Sequence, residues 1–294
     1  MAITASTIKE LREKTGAGMM ACKTALKETD GDFEAAVDYL RKKGLAAAEK
    51  KQSRTAAEGV IVNVSAKGKA VILEVNCETD FVAKGDDFKS FANEIASYAL
   101  SNEVKSIDEL RAQKADVANE LTLKCGEKID IRRMTFSSTD NQLGHYNHGG
   151  KIGVFVEAKT SASGEKLQEL LKDISMHVAA AAPRFLASSD IDDTFKEREA
   201  KIYTEQLKEQ GKPEKMIPNI VQGKLKKLAS EVCLLEQKFV KNPDLTVSAH
   251  VAAVSKEIGT EVQVIGFKSL TLGEGVEKRI DNLADEVAKM TGQQ

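Results

Sequence analysis

The chain has 294 residues, which is enough for two domains or for one domain with additions. Its 43 basic and 45 acidic residues give a net charge of -2, so electrostatics offers no reason to expect nucleic acid as the main partner. Tryptophan is absent and aromatic residues are scarce, which argues against a sugar-binding cleft or a platform for stacked bases.

Neither a signal-peptide core nor an apolar run of about 18 residues occurs in the sequence. We therefore expect a cytoplasmic protein that does not bind a membrane. The four cysteines stand alone, without a CxxC pair or a metal-binding spacing. Their pattern favours small buried side chains in a reducing compartment over a metal site.

The N-terminal stretch predicts a bundle of three short helices. Thr4 or Ser6 can cap the first helix, and the sequence TGAG at 15–18 ends it. Asp32 is placed to cap the third helix, and Gly44 to close it. Residues 45–57 lack an apolar stripe and predict a partly helical linker, so we place the first domain at 1–54.

A weak internal repeat follows the linker. The first copy, at 55–140, pairs GVIVNVSA with KAVILEV around a Lys-Gly turn, continues with a helix and ends in the strand KIDIRRMTF. The second copy has a strand pair, a helix from about Glu165 to Ala181 and the strand EVQVIGFKSL. Each copy reads as strand–strand–helix–strand, which predicts an α+β protein with two similar lobes, the second formed by 141–186 and 229–294.

Residues 187–228 interrupt the second copy with an antiparallel pair of predicted helices. The second of them runs from Met216 to Phe239, with its apolar positions on one side. This helical hairpin either projects as an arm or packs back on its own lobe, and its thin apolar stripes leave both arrangements open. A last amphipathic helix is expected over GEGVEKRIDNLADEVAKM, with one face formed by Ile280, Leu283, Val287 and Met290.

The stretch NCETDFVAK at 76–84 joins a predicted strand to a predicted helix, and we expect it to be a loop. A Phe and a Val are unusual at such a corner. Phe81 either folds back under its own lobe or forms a wedge that enters another protein. Asp80 either acts through its charge or caps the following helix.

No constellation of side chains indicates covalent chemistry. The sequence HYNHGGK lacks the glycine and the Ser or Thr that a phosphate-binding loop needs. His145 and His148 form an HxxH pair in a presumed turn, which favours surface histidines over a metal site. His177 lies in a predicted helix, and no Ser or Cys nucleophile is placed to pair with it, so we interpret it as a residue of the helix face. We expect no cofactor and no metal.

Several stretches resemble the bacterial elongation factor Ts family. They are LREKTGAGMMACKTAL at 11–26, EVNCETDFVAK at 74–84, MHVAAAAPRFL at 176–186 and EVCLLEQKFVK at 231–241. The resemblance covers essentially the whole chain. It implies a ubiquitin-associated-like N-terminal bundle, a core of two similar lobes, and a helical hairpin arm. If the protein forms a homodimer, we expect the arm at 187–228 to mediate it, because its apolar stripe is thin and its length exceeds what its lobe needs.

The resemblance also implies an activity without covalent chemistry: guanine-nucleotide exchange on elongation factor Tu. The family's exchange stretch, held to dislodge Mg²⁺ from the partner's nucleotide site, corresponds to Thr79, Asp80, Phe81 and Val82. The matching stretches imply the partner-binding residues Leu11, Arg12, Thr15, Gly16, Met19, Met20, Lys84 and His177.

Two positions depart from the family pattern. Ala21 stands where the family usually has an acidic residue, and Ala182 stands where it usually has Asn or another polar residue. The alternative function is a non-catalytic adaptor that binds a GTPase or another partner through the N-terminal bundle.

Overall fold

The structure is a computed structural model that describes residues 3–51 and 53–276. It contains both helices and small sheets, so the predicted α+β class is confirmed. The described chain divides into two compact units. The first takes the chain up to Val64, then Val71–Phe136, and resumes at Thr271, while the second takes Ser65–Ala70 and Ser137–Leu270. The C-terminal helix predicted with Ile280 to Met290 on one face lies outside the described residues.

The first unit begins with three helices: α1 (Ala5–Thr15), α2 (Met19–Glu28) and α3 (Phe33–Lys51). The hydroxyl of Thr4 accepts a hydrogen bond from the amide of Thr7 and caps α1. Gly16 ends α1 in the left-handed conformation, at φ 66°. The apolar sides of the helices meet in one small core, formed by Leu11, Ala17, Cys22, Ala25, Leu26, Ala36 and Leu40.

The first unit continues with β1 (Glu58–Ala66), β2 (Lys69–Cys77), α4 (Asp80–Lys84), α5 (Asp86–Ser101), α6 (Ile107–Cys125) and β3 (Asp130–Ser138). The sheet order is β1-β2-β3. Strand β2 is central and every residue from Ala70 to Cys77 is buried, because both of its faces are covered. The stripe of Phe88, Phe91 and Ile95 on α5 packs in the core with β2, as predicted.

Two details of the first unit differ from the sequence-based expectation. Helix α6 was not predicted, because few of its residues are buried and its apolar stripe is correspondingly thin. Gly44 does not close α3, which continues to Lys51. Helix α3 packs against α6 there, and the backbone at Gly44 lies beside the side chain of Leu123. Packing on a partner helix thus extends α3 past a residue that commonly ends helices.

A buried carboxylate forms ion pairs between two strands of this sheet. Glu74 on β2 is fully buried and binds two arginines of β3, Arg132 at 2.9 Å and Arg133. Its carboxylate also accepts the amide of Gly273 at 2.8 Å, and Arg133 donates to the carboxylate of Glu274 at 3.0 Å. Burial alone would raise the pKa of Glu74, but the hydrogen bonds from Arg133, Gly273 and Arg132 lower it below its ordinary value.

The second unit contains β4 (Gln142–His148), β5 (Ile152–Lys159), α7 (Glu165–Ala181), α8 (Asp193–Glu209), α9 (Ile217–Val232), β6 (Lys238–Phe239), β7 (Asn242–Thr246), α10 (Val247–Ile258) and β8 (Gln263–Thr271). Its main sheet has the order β4-β5-β8, with β4 and β5 antiparallel. Helix α7 lies on this sheet and closes the core. The short β6–β7 pair and α10 were not predicted.

Helices α8 and α9 pack against each other through a cluster of their own, centred on Leu207, Ile217 and Val221. Helix α9 was expected to reach Phe239 but ends at Val232. At Cys233 the backbone is extended, and residues 234–236 form a turn. Cys233 forms a bridge with Phe185, and the amide of Leu234 donates to the carbonyl of Phe185 at 2.9 Å. Pairing with the segment after α7 therefore replaces the last helical turns.

Ala182 ends α7 in the left-handed region, at φ 44° and ψ 55°. An L-residue with a Cβ is strained there, whereas Gly and Asn adopt this conformation readily. We expect Ala182→Gly to raise the free energy of unfolding by about 0.5–1 kcal/mol, measured by chemical denaturation. The matched control is Ala180→Gly, an exposed position inside the same helix, which should lower it by about 1 kcal/mol. Equal losses in both variants would contradict this explanation.

Candidate functional site

The corner after β2 is a short helix and not a loop. Helix α4 covers DFVAK, and Thr79 caps it by accepting the amide of Val82 on its hydroxyl at 3.4 Å. The prediction of a loop was wrong because one helical turn is too short to show periodicity. Gly85 ends α4 and immediately precedes α5, with no side-chain cap for the second helix.

The side chains of α4 face either the core or the solvent. Ala83 is buried and Val82 packs against the core of the unit. Phe81 points the other way and is 84% exposed, the most exposed large apolar side chain of the described residues. The structure therefore excludes the interpretation in which Phe81 folds back under its lobe. A large ring held in water is typical of an interaction site.

Asp80 lies on the solvent side of α4. Its carboxylate pairs with Lys84 one turn later, at 2.5 Å, and the hydrogen bond from Lys84 lowers the pKa of Asp80. Asp80 does not cap the following helix, since Thr79 caps α4 and α5 begins after Gly85. Both Asp80 and Lys84 therefore present an exposed ion pair beside Phe81.

Glu127 holds the beginning of α4, and sequence analysis did not identify it. One carboxylate oxygen accepts the amides of Glu78 at 3.1 Å and Thr79 at 2.9 Å. The other accepts the hydroxyl of Thr79 at 2.6 Å. In return, the carboxylate of Glu78 accepts the amide of Lys128 at 2.7 Å. No short-range pattern signals this contact, because about fifty residues separate the two sides.

The cysteine beside this corner is not a reactive group. Cys77 is buried, and burial raises the pKa of its thiol to about 12, so the thiolate that would react is not formed near neutral pH. The thiol donates to the carbonyl of Thr79 at 3.2 Å. Cys22 and Cys233 are buried as predicted, whereas Cys125 is partly exposed.

The residues assigned to partner binding in the helical bundle fall into two groups. Met19 and Met20 are 59% and 71% exposed, and Arg12 is also exposed. Leu11 is fully buried in the bundle core, so its side chain supports the surface from inside. Thr15 is half-buried, and its hydroxyl donates to the carbonyl of Leu11 at 2.6 Å and lies 4.0 Å from the buried Sγ of Cys22.

Lys124 connects this bundle to the corner. The backbone of Gly16 lies against the Lys124 side chain, so that a Cβ at Gly16 would be 3.2 Å from the Lys124 Cδ. The ammonium of Lys124 pairs with Asp87 in the first turn of α5, at 2.7 Å. The turn after α1 and the start of α5 are thus tied through one side chain of α6. Ala21 is half-buried and packs on the bundle core.

His177 lies in the second unit and is only 1% exposed. Its Nε2 and the Oε1 of Gln237 are 2.9 Å apart, and its Nδ1 accepts the amide of Val240 at 3.1 Å. Burial lowers the pKa of His177 below its ordinary value. The side chain therefore organises the turn that carries the exposed Val240, and its ring is not available for direct contact with a partner.

His145 and His148 lie on strand β4 and not in the turn that follows it. Both are exposed, and the Nδ1 of His148 is 2.9 Å from the hydroxyl of Tyr146. Among the described residues, no group of three or more His, Cys, Asp or Glu side chains is arranged to hold a metal ion. Nor does any helix in the described part of the chain have the length and apolar character needed to cross a membrane.

The exposure of Phe81 leads to a prediction about stability. We expect Phe81→Ala to change the free energy of unfolding by no more than about 0.5 kcal/mol, because no core cavity is created. Phe88→Ala on α5 is the matched control, and loss of that buried ring should cost about 3–5 kcal/mol. Thermal or chemical unfolding of both variants tests this, and similar losses would assign Phe81 to the core.

Comparison with known proteins identifies a family. The family described as Elongation factor TS matches residues 78–274. Elongation factor Ts of Magnetococcus marinus is 47% identical over 300 residues, with 99% of each chain covered. The proteins of the same name from Clostridium perfringens and Clostridioides difficile are each 45% identical, with at least 98% of each chain covered. A match of this extent shows that the chain belongs to the elongation factor Ts family.

Proposed function

We propose that this protein binds elongation factor Tu with GDP and promotes the release of GDP and its exchange for GTP. The observation that carries the proposal is the position of Phe81, an exposed ring on a short, capped helix within the stretch that resembles the family's exchange motif. The protein supplies no covalent chemistry of its own in this function. It acts by binding one state of the GTPase better than another.

The proposed step is mechanical. A GTPase holds its nucleotide through phosphate contacts and a bridging Mg²⁺. Insertion of Phe81 between elements of the partner would shift the segments that hold the phosphates and the metal, with Thr79 and Val82 fixing the direction of the ring. Asp80 is paired with Lys84 in the structure, so we assign the displacement of Mg²⁺ chiefly to the ring.

Energetics require further contacts. Burying one Phe contributes roughly 1.5–3 kcal/mol. Driving a two-state equilibrium from 1:99 to 99:1 takes about 5.5 kcal/mol of differential affinity. Other surfaces must therefore bind the partner while the ring acts. The exposed Met19 and Met20 on α2 suit this role, since flexible thioether side chains adapt to an apolar partner surface.

The same methionines support the alternative function, a non-catalytic adaptor that binds through the N-terminal bundle. The two functions differ in stoichiometry. An exchange factor accelerates GDP release when present in amounts far below those of the GTPase, whereas an adaptor does not. Release of labelled GDP from elongation factor Tu, with this protein added at about one-hundredth of the GTPase concentration, separates them.

We also propose the finer architecture that the family resemblance implies. Residues 1–54 form a ubiquitin-associated-like bundle, 55–140 one core lobe, and 141–186 with 229–270 the second lobe; the second lobe was expected to extend to 294, but the chain rejoins the first unit at Thr271. The matching sheet orders, β1-β2-β3 and β4-β5-β8, support two lobes of related topology. Residues 187–228 form the arm, supported by the separate cluster between α8 and α9. The cytoplasm is the compartment in which such a factor would work.

Removal of the Phe81 ring tests the proposed step directly. We expect Phe81→Ala to slow stimulated GDP release by roughly ten- to a hundred-fold, because about 1.5–3 kcal/mol of differential binding is lost. Phe81→Leu keeps part of the apolar volume, so its rate of stimulated GDP release should lie between those of Phe81→Ala and the parent protein. Val117→Ala, an exposed apolar truncation on α6, is the matched control and should release GDP at the parent rate. Parent-like release by Phe81→Ala would refute the wedge.

We propose further that any homodimer forms through the arm. Ile202 on α8 and Met216 before α9 are exposed apolar residues on it, at 36% and 54%. Replacing 201–223 by a short Gly-Ser turn shortens the arm. It keeps the beginning of α8, where the guanidinium of Arg184 lies over the ring of Phe195.

The shortened protein should stay folded, stimulate GDP release and sediment as a monomer. The double variant Ile202→Ser and Met216→Ser keeps the arm and should also weaken self-association. If the parent protein dimerises and both variants dimerise equally well, the arm is not the interface. Loss of folding in the shortened protein alone would show that the arm belongs to the core.

A further inference from the structure

We propose that Glu127 is a positioning residue for nucleotide exchange. It acts through Thr79 to fix helix α4, and thereby sets the direction in which Phe81 enters the partner. This inference rests on the proposed exchange function. It concerns a carboxylate at the end of a different element, outside the stretch that resembles the exchange motif.

The geometry shows a carboxylate with every contact directed at the start of α4. Its two oxygens accept three hydrogen bonds, from the amides of Glu78 and Thr79 and from the Thr79 hydroxyl, at 2.6–3.1 Å. Bonds to an ionised acceptor are stronger than those between neutral groups. Two successive backbone amides and one side chain are thus fixed by a single residue.

The Thr79 hydroxyl relays this contact into the helix. A hydroxyl has one proton to donate and two lone pairs with which to accept. Because the proton goes to Glu127, a lone pair remains for the amide of Val82, which is the capping bond of α4. The charge of Glu127 therefore selects the rotamer and the hydrogen-bond direction that cap the helix.

Helix α4 needs such external support. It has five residues, and helices of this length are not stable by themselves in water. Only Val82 and Ala83 anchor it to the core, while Phe81 contributes no packing within the protein. An unsupported turn would let the ring point in many directions, and insertion into a defined crevice would then cost the entropy of ordering it.

A reciprocal contact fixes Glu127 itself. The carboxylate of Glu78 accepts the amide of Lys128, and it is also paired with Arg54 at 3.2 Å. The end of β2 and the turn after α6 are therefore linked in both directions. Gly126 in the left-handed conformation, at φ 78°, ends α6 just before this link. Glu127 and the residue after it are thus both bonded to the segment that leads into α4.

The experiment compares Glu127→Ala, Glu127→Gln and the matched control Glu120→Gln, an exposed glutamate on α6. Labelled GDP release from elongation factor Tu is measured over a range of exchange-factor concentrations. This separates the maximal rate from the concentration that gives half of it, and thermal unfolding is recorded for each variant.

We expect Glu127→Ala to reduce the maximal rate roughly ten-fold, the scale of one lost charge-assisted contact. The half-maximal concentration should change less than two-fold, since the other binding surfaces are intact. Glu127→Gln should also be slow, because its single amide oxygen cannot accept both the Thr79 hydroxyl and the two backbone amides, and its NH2 group would face one of these donors. Glu120→Gln should match the parent protein.

A double-mutant comparison distinguishes positioning from a general structural role. In a Phe81→Ala background, Glu127→Ala should reduce the maximal rate by less than two-fold, because no ring remains to be directed. If it reduces the rate ten-fold in both backgrounds, the proposal is overturned. Parent-like maximal rates for both Glu127 variants overturn it as well.

A further variant tests the proposal if Glu127→Ala does not fold. Thr79→Val removes the relay and leaves the carboxylate in place, and it should lower the maximal rate while the half-maximal concentration is kept. Parent-like exchange by Thr79→Val would overturn the proposal. If the unmodified protein fails to accelerate GDP release at all, the proposed function itself fails, which is a different result from an active parent with active Glu127 variants.

Discussion

The three hydrogen bonds to the Glu127 carboxylate are the interaction on which the arrangement of the corner depends. Exposing the ring of Phe81 gains nothing for folding, because its apolar surface stays in water. A five-residue helix also has little stability of its own. The corner is kept in one conformation by a cap, a carboxylate and two anchoring side chains, each of which compensates for the missing burial of the ring.

The strands of the two three-stranded sheets and most helices could be predicted because their signals are local. The stripe of Phe88, Phe91 and Ile95 repeats at the helical period, and the Lys-Gly turn between β1 and β2 adopts the positive φ angles that such a hairpin requires. Helix α4 could not be recognised, because one turn contains no period. The end of α9 was misplaced because the chain from Cys233 pairs with Phe185, a contact between distant segments that overrides helix propensity.

The candidate site was predicted only in part, for a similar reason. The family resemblance pointed to Phe81, Met19 and Met20, and the structure places all three at the surface. It also pointed to Leu11 and His177, which are buried, so a sequence match alone did not separate side chains that contact a partner from those that support the contact. Glu127 lay outside every motif, since its role exists only when two remote segments meet.

The hydrogen bonds around Glu74 join segments that are far apart in the sequence. Arg132, Arg133 and the carboxylate of Glu74 bind the backbone of residues 271–274, and Arg133 also binds the side chain of Glu274. The first unit is therefore completed by a segment that lies 199 residues after Glu74 in the sequence, and a fragment that stopped at Phe136 would leave the buried Glu74 carboxylate without the amide of Gly273. Loss of a hydrogen-bond donor to a buried carboxylate costs about 1–3 kcal/mol or more, so the first unit reaches its full stability only after residue 273 has been synthesised.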